Sequence, residues 1–433
     1  MHKRLLVLGG GESGVGAAIL ALKEGFNVFL SDSGKIADKY KKKLDDVGID
    51  YEEGKHSFEM FFEFSEVVKS PGIPDRLDFI QAFKEKNIPV ISEIEFACRY
   101  TRAYVIAITG SNGKTTTTNL VYQLLKAANK NVALVGNVGQ SFALRVAEEP
   151  ASIYALELSS FQLDGIKEFR PDVSILLNIS PDHLDRYDHD FDQYADSKLR
   201  ICMNQSNGDK FIFNGNDEKI LQRLTLLPEV LSRCSVSMDK LDAYVETFDW
   251  TNKALQGNHN RFNAACAIEA VRTCGLVDSE IQSGLDLFVN DPHRLESFLE
   301  ADGIEFINDS KATNVEAVYY ALDAIEGPIL WIAGGVDKGN EYETLDHFVE
   351  EKVAALICLG TDNSKLLNYY ENKIEQLVSV DSLELMIEKI KDWKKAGMKV
   401  LLSPACSSFD LFNNYMHRGD AFKEIILENF RTK

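Results

Sequence analysis

YVIAITGSNGKTTTTNLVYQLL, residues 104–125, decides how the rest of the chain is read. An apolar run of strand character feeds a loop holding Gly110 and Gly113, then Lys114, and Thr115 opens an amphipathic helix. In that order of elements the backbone N–H groups of Gly110, Ser111, Asn112, Gly113, Lys114, Thr115 and Thr116 converge with the helix dipole on a bound phosphate. Lys114 can reach a terminal phosphate and the Thr115 hydroxyl can ligate magnesium. The longer form G-x-x-x-x-G-K-[ST] would need glycine at 108, where Ile108 stands, so this is the shorter G-x-x-G-K-T. A glycine turn with a solvated lysine is the plain alternative, but it does not require the glycine pair, Lys and Thr together between one strand and one helix. ATP is the expected ligand.

At 433 residues the chain exceeds one ordinary core, since single cores stop growing near roughly 250–300 residues, so two or three domains are expected. Composition is that of a globular protein, 45% hydrophobic and 26% charged, and no apolar run approaches the roughly 18 residues of a membrane helix. Lys+Arg 47 against Asp+Glu 67 gives a net charge of −20, which excludes a polynucleotide partner that would need a basic stripe. Small anions then need local cationic pockets. The seven cysteines form no C-x-x-C pair and read as buried free thiols of a reducing compartment. The opening MHKRLLVL imitates a signal peptide, but its apolar run dies at the glycines with no small-residue cleavage site, so a cytoplasmic protein is expected, and a monomer.

Upstream, RLLVLGG, NVFLSD, EVVKSPGI and IPVIS alternate with helical segments. Within the first turn, Gly9, Gly11 and Gly14 fit G-x-G-x-x-G, with Asp32 21 positions beyond Gly11. That spacing fits a nicotinamide-dinucleotide oxidoreductase, which would leave the complete phosphate loop of the next domain unexplained. After residue 104, NVALVGN, SIYALELSS and VSILLNIS read as buried parallel strands. Near 290 the pattern restarts with GIEFINDS, GPILWIAGG, VAALICLG and KVLLSPACSS. The expectation is α/β throughout, in three consecutive domains: an N-terminal Rossmann-like domain (1–93), a central P-loop domain with a mostly parallel sheet (94–290) and a C-terminal Rossmann-like domain (291–433).

Glu157 closes an apolar strand, where a carboxylate needs a cation or donors, and His183, Asp185, Arg186 and Lys198 follow the next strand. Singly each is a cap or surface residue; beside a phosphate loop they read as an active-site rim.

TGSNGKTTT, VGNVG, ELSSFQL, NISPDHLDRY, DSKLRI and GNHNRFNAACA resemble, in order, the middle domain of the ATP-dependent Mur ligases, which build the peptide stem of peptidoglycan. Folylpolyglutamate synthases are relatives. PHRLE, NDSKATN, GGVDKG and SPACSSFDLF resemble the branch that joins D-glutamate to UDP-N-acetylmuramoyl-L-alanine, so the resemblance spans essentially the whole chain. It implies phosphorylation of the alanyl carboxylate by ATP and attack of the amine on the acyl phosphate. It implies that Lys114 contacts the phosphates, that Thr115 and Glu157 hold one magnesium and His183 a second, and that Lys198 is carbamylated and positions metal. Asn260, Asn263, Arg294 and Asp309 would surround ATP. D-Glutamate would meet His183, Lys311, Thr313, Lys338, Ser408 and Tyr415, the last standing where many relatives have phenylalanine. The first domain would hold UDP through Glu12, Ser13, Asp32, Ser33 and the Ser70–Gly72 turn, with Asn137 beside the substrate. The G-x-G-x-x-G turn then signals a diphosphate and not a nicotinamide. Competing readings are a related ligase for another amino acid and a P-loop switch protein; the latter leaves the third domain's motifs unassigned.

Overall fold

The structure, a computed structural model, describes residues 3–430 apart from 183, 228–230 and 256. Three sheets follow one another along the chain. The first comprises β1 (Arg4–Leu8), β2 (Asn27–Asp32), β3 (Asp50–Glu53), β4 (Glu66–Lys69) and β5 (Val90–Ile91) in the order β3-β2-β1-β4-β5. The second comprises β6 (Tyr104–Thr109), β7 (Val132–Gly136), β8 (Ile153–Glu157), β9 (Val173–Leu176), β10 (Lys210–Asn214) and β11 (Ser232–Val236) in the order β11-β10-β9-β6-β8-β7. Every pairing in these two sheets is parallel. The third comprises β12 (Glu296–Ala301), β13 (Ile304–Asn308), β14 (Ile329–Gly334), β15 (Val353–Leu359), β16 (Gln376–Val380) and β17 (Lys399–Ala405), ordered β12-β13-β17-β14-β15-β16, with β12 antiparallel to β13.

The apolar strands β6, β8, β9 and β14 are buried on both faces, as unbroken hydrophobic runs require. Successive residues of β14 divide between two cores: Trp331 packs with Leu356 and Leu401, while Leu330 and Ile332 pack with Ile357 and Val400. The sequence pattern names no strand at β3, β10, β11, β12 or β16. Strand β3 (DYEE) and β11 (SRCSV) lie at sheet edges with little buried side-chain surface, so no apolar run marks them. All seven cysteines are free; Cys202, Cys266, Cys358 and Cys406 are buried, whereas Cys98, Cys234 and Cys274 are half-buried. Among the described residues no helix is long and apolar enough to cross a membrane.

The chain forms two compact units, one holding residues up to Asn252 with Arg261–Phe288, the other Lys253–Asn260 with Val289 onward. The first two sheets therefore share one unit and one core, in which Leu5, Val7 and Ile94 join Phe142, Tyr154 and Leu156. Their seam is a close packing of helix Glu12–Lys23 on helix Phe142–Glu148. Gly16 makes it possible, since a Cβ there would lie 2.1 Å from Ser141 Oγ. Buried Glu93 accepts hydrogen bonds from Ser141 Oγ at 2.8 Å and Ala143 N at 2.5 Å. Two residues on, buried Glu95 takes three backbone N–H groups, from Lys167, Glu168 and Phe169, at 2.7, 3.0 and 3.0 Å.

Burial pushes the Glu93 carboxyl from its ordinary 4.5 up to about 7, against the opposing pull of its donors and with a further push from Glu12. Between those values the folded protein holds a proton that the unfolded chain releases, so stability falls as pH rises through that window. Glu93→Gln keeps an acceptor for Ser141 and removes the titration. Thermal unfolding from pH 4.5 to 7.5 should show a flatter profile for the variant, the difference amounting to on the order of 3 kcal/mol at most; parallel profiles would refute this account.

Candidate active site

In open parallel sheets ligands bind beyond the carboxyl ends of the strands, where the strand order reverses. In the second sheet that place lies around β6, and the loops following β6, β8 and β9 meet there. Gly110 and Gly113 both have positive φ, +158° and +81°. Gly113 is the left-handed N-cap of helix Lys114–Ala127, and a Cβ on it would sit 2.7 Å from Asn263 Oδ1. Conformation and close approach thus both demand glycine at 113.

The loop is fixed from outside. Asn178, just past β9, accepts from Asn112 N at 2.8 Å and donates to Asn112 O at 3.1 Å. Ser111 Oγ donates to Ser180 O at 2.9 Å and lies 3.0 Å from the Tyr194 hydroxyl. Sequence reasoning missed Asn178 and Tyr194; a polar residue directly after a buried strand was the available signal for the first.

Two amines reach one carbonyl. Lys114 Nζ donates to Gly110 O and Ser111 O, both at 2.8 Å, and Lys198 Nζ donates to Gly110 O at 2.7 Å. Lys198 is buried, and burial first, then the charge of Lys114, holds its pKa well below the lysine range. The carboxylates of Asp182 and Asp164 pull the other way but do not offset the cost of burying the ammonium, so the neutral amine gains weight.

Glu157, also buried, accepts from Asn137 Nδ2 at 2.7 Å through Oε1, while its Oε2 is buried with no hydrogen-bond partner among the described residues. An orphaned carboxylate oxygen beside a phosphate loop, with buried Thr115 opening the helix, is the oxygen donor set that suits magnesium. Among the described residues no group of three or more His, Cys, Asp and Glu gathers to hold a metal. His183 lies outside the described residues.

At the switch point of the first sheet, between β1 and β4, Asp32 joins two loops: Oδ2 accepts from Gly10 N at 2.5 Å and Oδ1 from Gly34 N at 2.7 Å. Ser70 packs against Gly9, where a Cβ would lie 2.3 Å from Ser70 Oγ. Ser33 and Gly72 are exposed and Ser13 is half-buried. Glu12 Oε1 accepts a hydrogen bond from Ser141 N at 3.2 Å.

The second unit gathers the remaining expected residues at the strand ends of its sheet. Asp309 follows β13, accepts from Ser403 Oγ at 2.8 Å and Leu295 N at 3.1 Å, and burial raises its carboxyl to about 7 despite Arg294 and Arg418. Arg294 has a buried Nε with no hydrogen-bond partner. Lys311 Nζ stands 5.4 Å from the Tyr415 ring centroid, Ser408 is buried and Thr313 half-buried. Lys338 is exposed on a loop shaped by Asp337, which accepts from Gly339 N, Asn340 N and the Tyr342 hydroxyl at 2.7, 3.0 and 2.7 Å. Arg418, unnoticed in the sequence, ties the ends of three strands: it donates to Ser310 O at 2.9 Å, Cys406 O at 3.1 Å and Gly334 O at 3.4 Å. Asn260 belongs to this unit and Asn263 to the other, although both lie on helix Asn258–Arg272 and both are buried.

Three family models match this architecture: the Mur ligase MurD-like N-terminal domain over residues 3–92, the Mur ligase middle domain over 108–271 and the Mur ligase glutamate ligase domain over 293–406. The chain belongs to the Mur ligase family. Among curated relatives it is 46% identical to the UDP-N-acetylmuramoylalanine--D-glutamate ligase of Christiangramia forsetii over 98% of this chain and 99% of that one. The ligases of the same name from Bacteroides thetaiotaomicron and Porphyromonas gingivalis are 45% and 44% identical over 98% of this chain. Of solved structures, the MurF ligase of Thermotoga maritima in complex with ADP shares the fold at a TM-score of 0.62 and 14% identity, covering 93% of this chain and 94% of that one.

Gly113→Ala should cost about 1–2 kcal/mol from the left-handed backbone alone, with the Asn263 clash added. A thermal midpoint lowered by several degrees is expected; an unchanged one would mean that loop and Asn263 relax freely.

Proposed function

We infer that this chain is an ATP-dependent ligase that joins D-glutamate to UDP-N-acetylmuramoyl-L-alanine in the synthesis of peptidoglycan precursors. Identity of 44–46% to ligases of that name over 98% of the chain carries the reading. The phosphate loop with its orphaned Glu157 oxygen supports it from the structural side.

A carboxylate resists an amine because its carbon is electron-rich and oxide leaves poorly. Transfer of the γ-phosphoryl group of ATP to the alanyl carboxylate supplies a leaving group. The D-glutamate amine adds to the acyl phosphate, the tetrahedral intermediate expels phosphate, and amide, ADP and phosphate result. The Ser111 and Asn112 N–H groups, expected at the phosphates, are instead taken by Asn178, so the N–H groups of Gly110 and of Gly113 to Thr116, with the Lys114 ammonium, are proposed to hold the phosphates and meet the charge developing on the transferred group. Thr115 and Glu157 would hold magnesium, whose charge neutralises phosphate oxygens, and His183 a second ion. Asn260, Asn263, Arg294 and Asp309 are proposed for the nucleotide. The loops of Glu12, Ser13, Asp32, Ser33, Ser70 and Gly72, and Asn137, are proposed for the UDP substrate. Lys311, Thr313, Lys338, Ser408 and Tyr415 are proposed for D-glutamate. The divisions 1–93, 94–290 and 291–433 then serve as UDP-substrate, nucleotide and amino-acid domains of a cytoplasmic monomer.

Lys198 is proposed to be carbamylated. Its depressed pKa leaves a free lone pair to add to carbon dioxide, and loss of a proton from the adduct yields a carbamate anion. That anion places a negative charge opposite the Lys114 ammonium, where a protonated Lys198 would repel it.

Phosphate release from ATP, measured with UDP-N-acetylmuramoyl-L-alanine and each of several amino acids in turn, should depend on D-glutamate. Release that depends on a different amino acid, or none without NAD, would overturn the assignment. Carbon-13 NMR in labelled bicarbonate should show a carbamate signal that Lys198→Ala abolishes; its absence from the parent protein would remove the carbamate.

A further inference from the structure

We propose that Arg186 is a positioning residue that holds the Pro71–Gly72 turn of the first sheet in its substrate-binding shape and links it to the segment bearing Lys198. The proposal rests on the UDP-substrate reading above and assigns a role to a residue which that reading leaves idle.

Arg186 closes the short 3-10 turn Leu184–Arg186. Its guanidinium spans the seam between the two sheets of the first unit, donating through Nη2 to Pro71 O and through Nη1 to Gly72 O, both at 3.3 Å. The next carbonyl is also taken by a cation: Lys69 Nζ, buried at the end of β4, donates to Ile73 O at 2.6 Å. Three successive carbonyls of an exposed turn are thus turned toward cations of the protein. In a planar trans peptide the N–H points opposite to the carbonyl. With Pro71 O held by Arg186, the Gly72 N–H is directed away from it, as an anion-binding turn needs.

Behind the turn the contacts run on to the catalytic lysine. The Arg186 guanidinium carbon lies 4.5 Å from the centroid of the Phe161 ring, and that ring stacks on Tyr187 at 6.0 Å and 13°. The Tyr187 hydroxyl donates to Asp164 Oδ2 at 2.9 Å and lies 3.3 Å from Ser197 Oγ. Ser197, which donates to Ser160 O at 3.0 Å, directly precedes Lys198 on helix Phe191–Leu199. A planar fork that bonds two carbonyls while stacking on a ring is a task for arginine; lysine reproduces one bond and no stacking.

Steady-state kinetics and calorimetric UDP titration of the parent, Arg186→Ala and Arg186→Lys would test this. Arg186→Ala should raise KM for the UDP substrate about tenfold or more and weaken UDP binding in parallel, while KM for ATP stays within about twofold. Arg186→Lys should fall between. Equal UDP affinity and KM in the parent and Arg186→Lys overturn the proposal even if the alanine variant fails to fold. Loss of kcat and ATP affinity alongside, with no selective effect on the UDP substrate, also overturns it, because a general packing role would do that. A parent that binds ATP but no UDP ligand overturns the proposal together with the substrate reading beneath it.

Discussion

The Gly110 carbonyl oxygen, reached by the amines of both Lys114 and Lys198, is the constraint around which the site is built. Bringing two lysines onto one acceptor inside a buried site is electrostatically adverse unless one gives up its charge, and burial selects Lys198 for that. The rest follows from keeping the loop where both can reach it. Asn178 clamps Asn112 from one side, Ser111 meets Ser180 and Tyr194 from another, and Asn263 presses on Gly113. A loop whose backbone is fixed on three sides would receive the proposed phosphates without rearranging its main chain, the property that makes fixed donors effective in catalysis.

Much of the phosphate site was legible because its chemistry needs residue types in fixed order: two glycines, lysine and threonine between a buried strand and a helix. Glu157 was legible for a related reason, as a carboxylate at the end of an apolar run. The residues that went unread act through geometry alone. Asn178, Tyr194 and Arg418 bond to backbone or to loop side chains brought near by strand order, and apart from the place of Asn178 after a buried strand nothing adjacent in the sequence announces them. The same division holds for the fold. Most strands buried on both faces appear as apolar runs, although the short interior strand β10 (KFIFN) went unread, whereas edge strands such as β3 and β11 owe their form to a neighbour's hydrogen bonds.

The opening glycine turn shows how one motif serves several ligands. Gly9 and Gly14 are needed because a Cβ would strike Ser70 and the Gly9 carbonyl respectively, a requirement of strand–turn–helix packing. Asp32, which in a dinucleotide enzyme would be free to meet a ribose, here has both carboxylate oxygens on backbone N–H groups of the loops it joins. The turn therefore specifies a backbone shape, and the proposed diphosphate is a matter of what surrounds it.

Gly16, Glu93 and Ser141 give the seam between the first two sheets a further meaning. A glycine that admits a serine, and a carboxyl that binds it, come from three separate parts of the chain and work only as a set. The N-terminal sheet is consequently not an interchangeable module. A chimera that borrows this sheet from a relative with a larger residue at position 16 would carry a helix whose surface no longer admits Ser141.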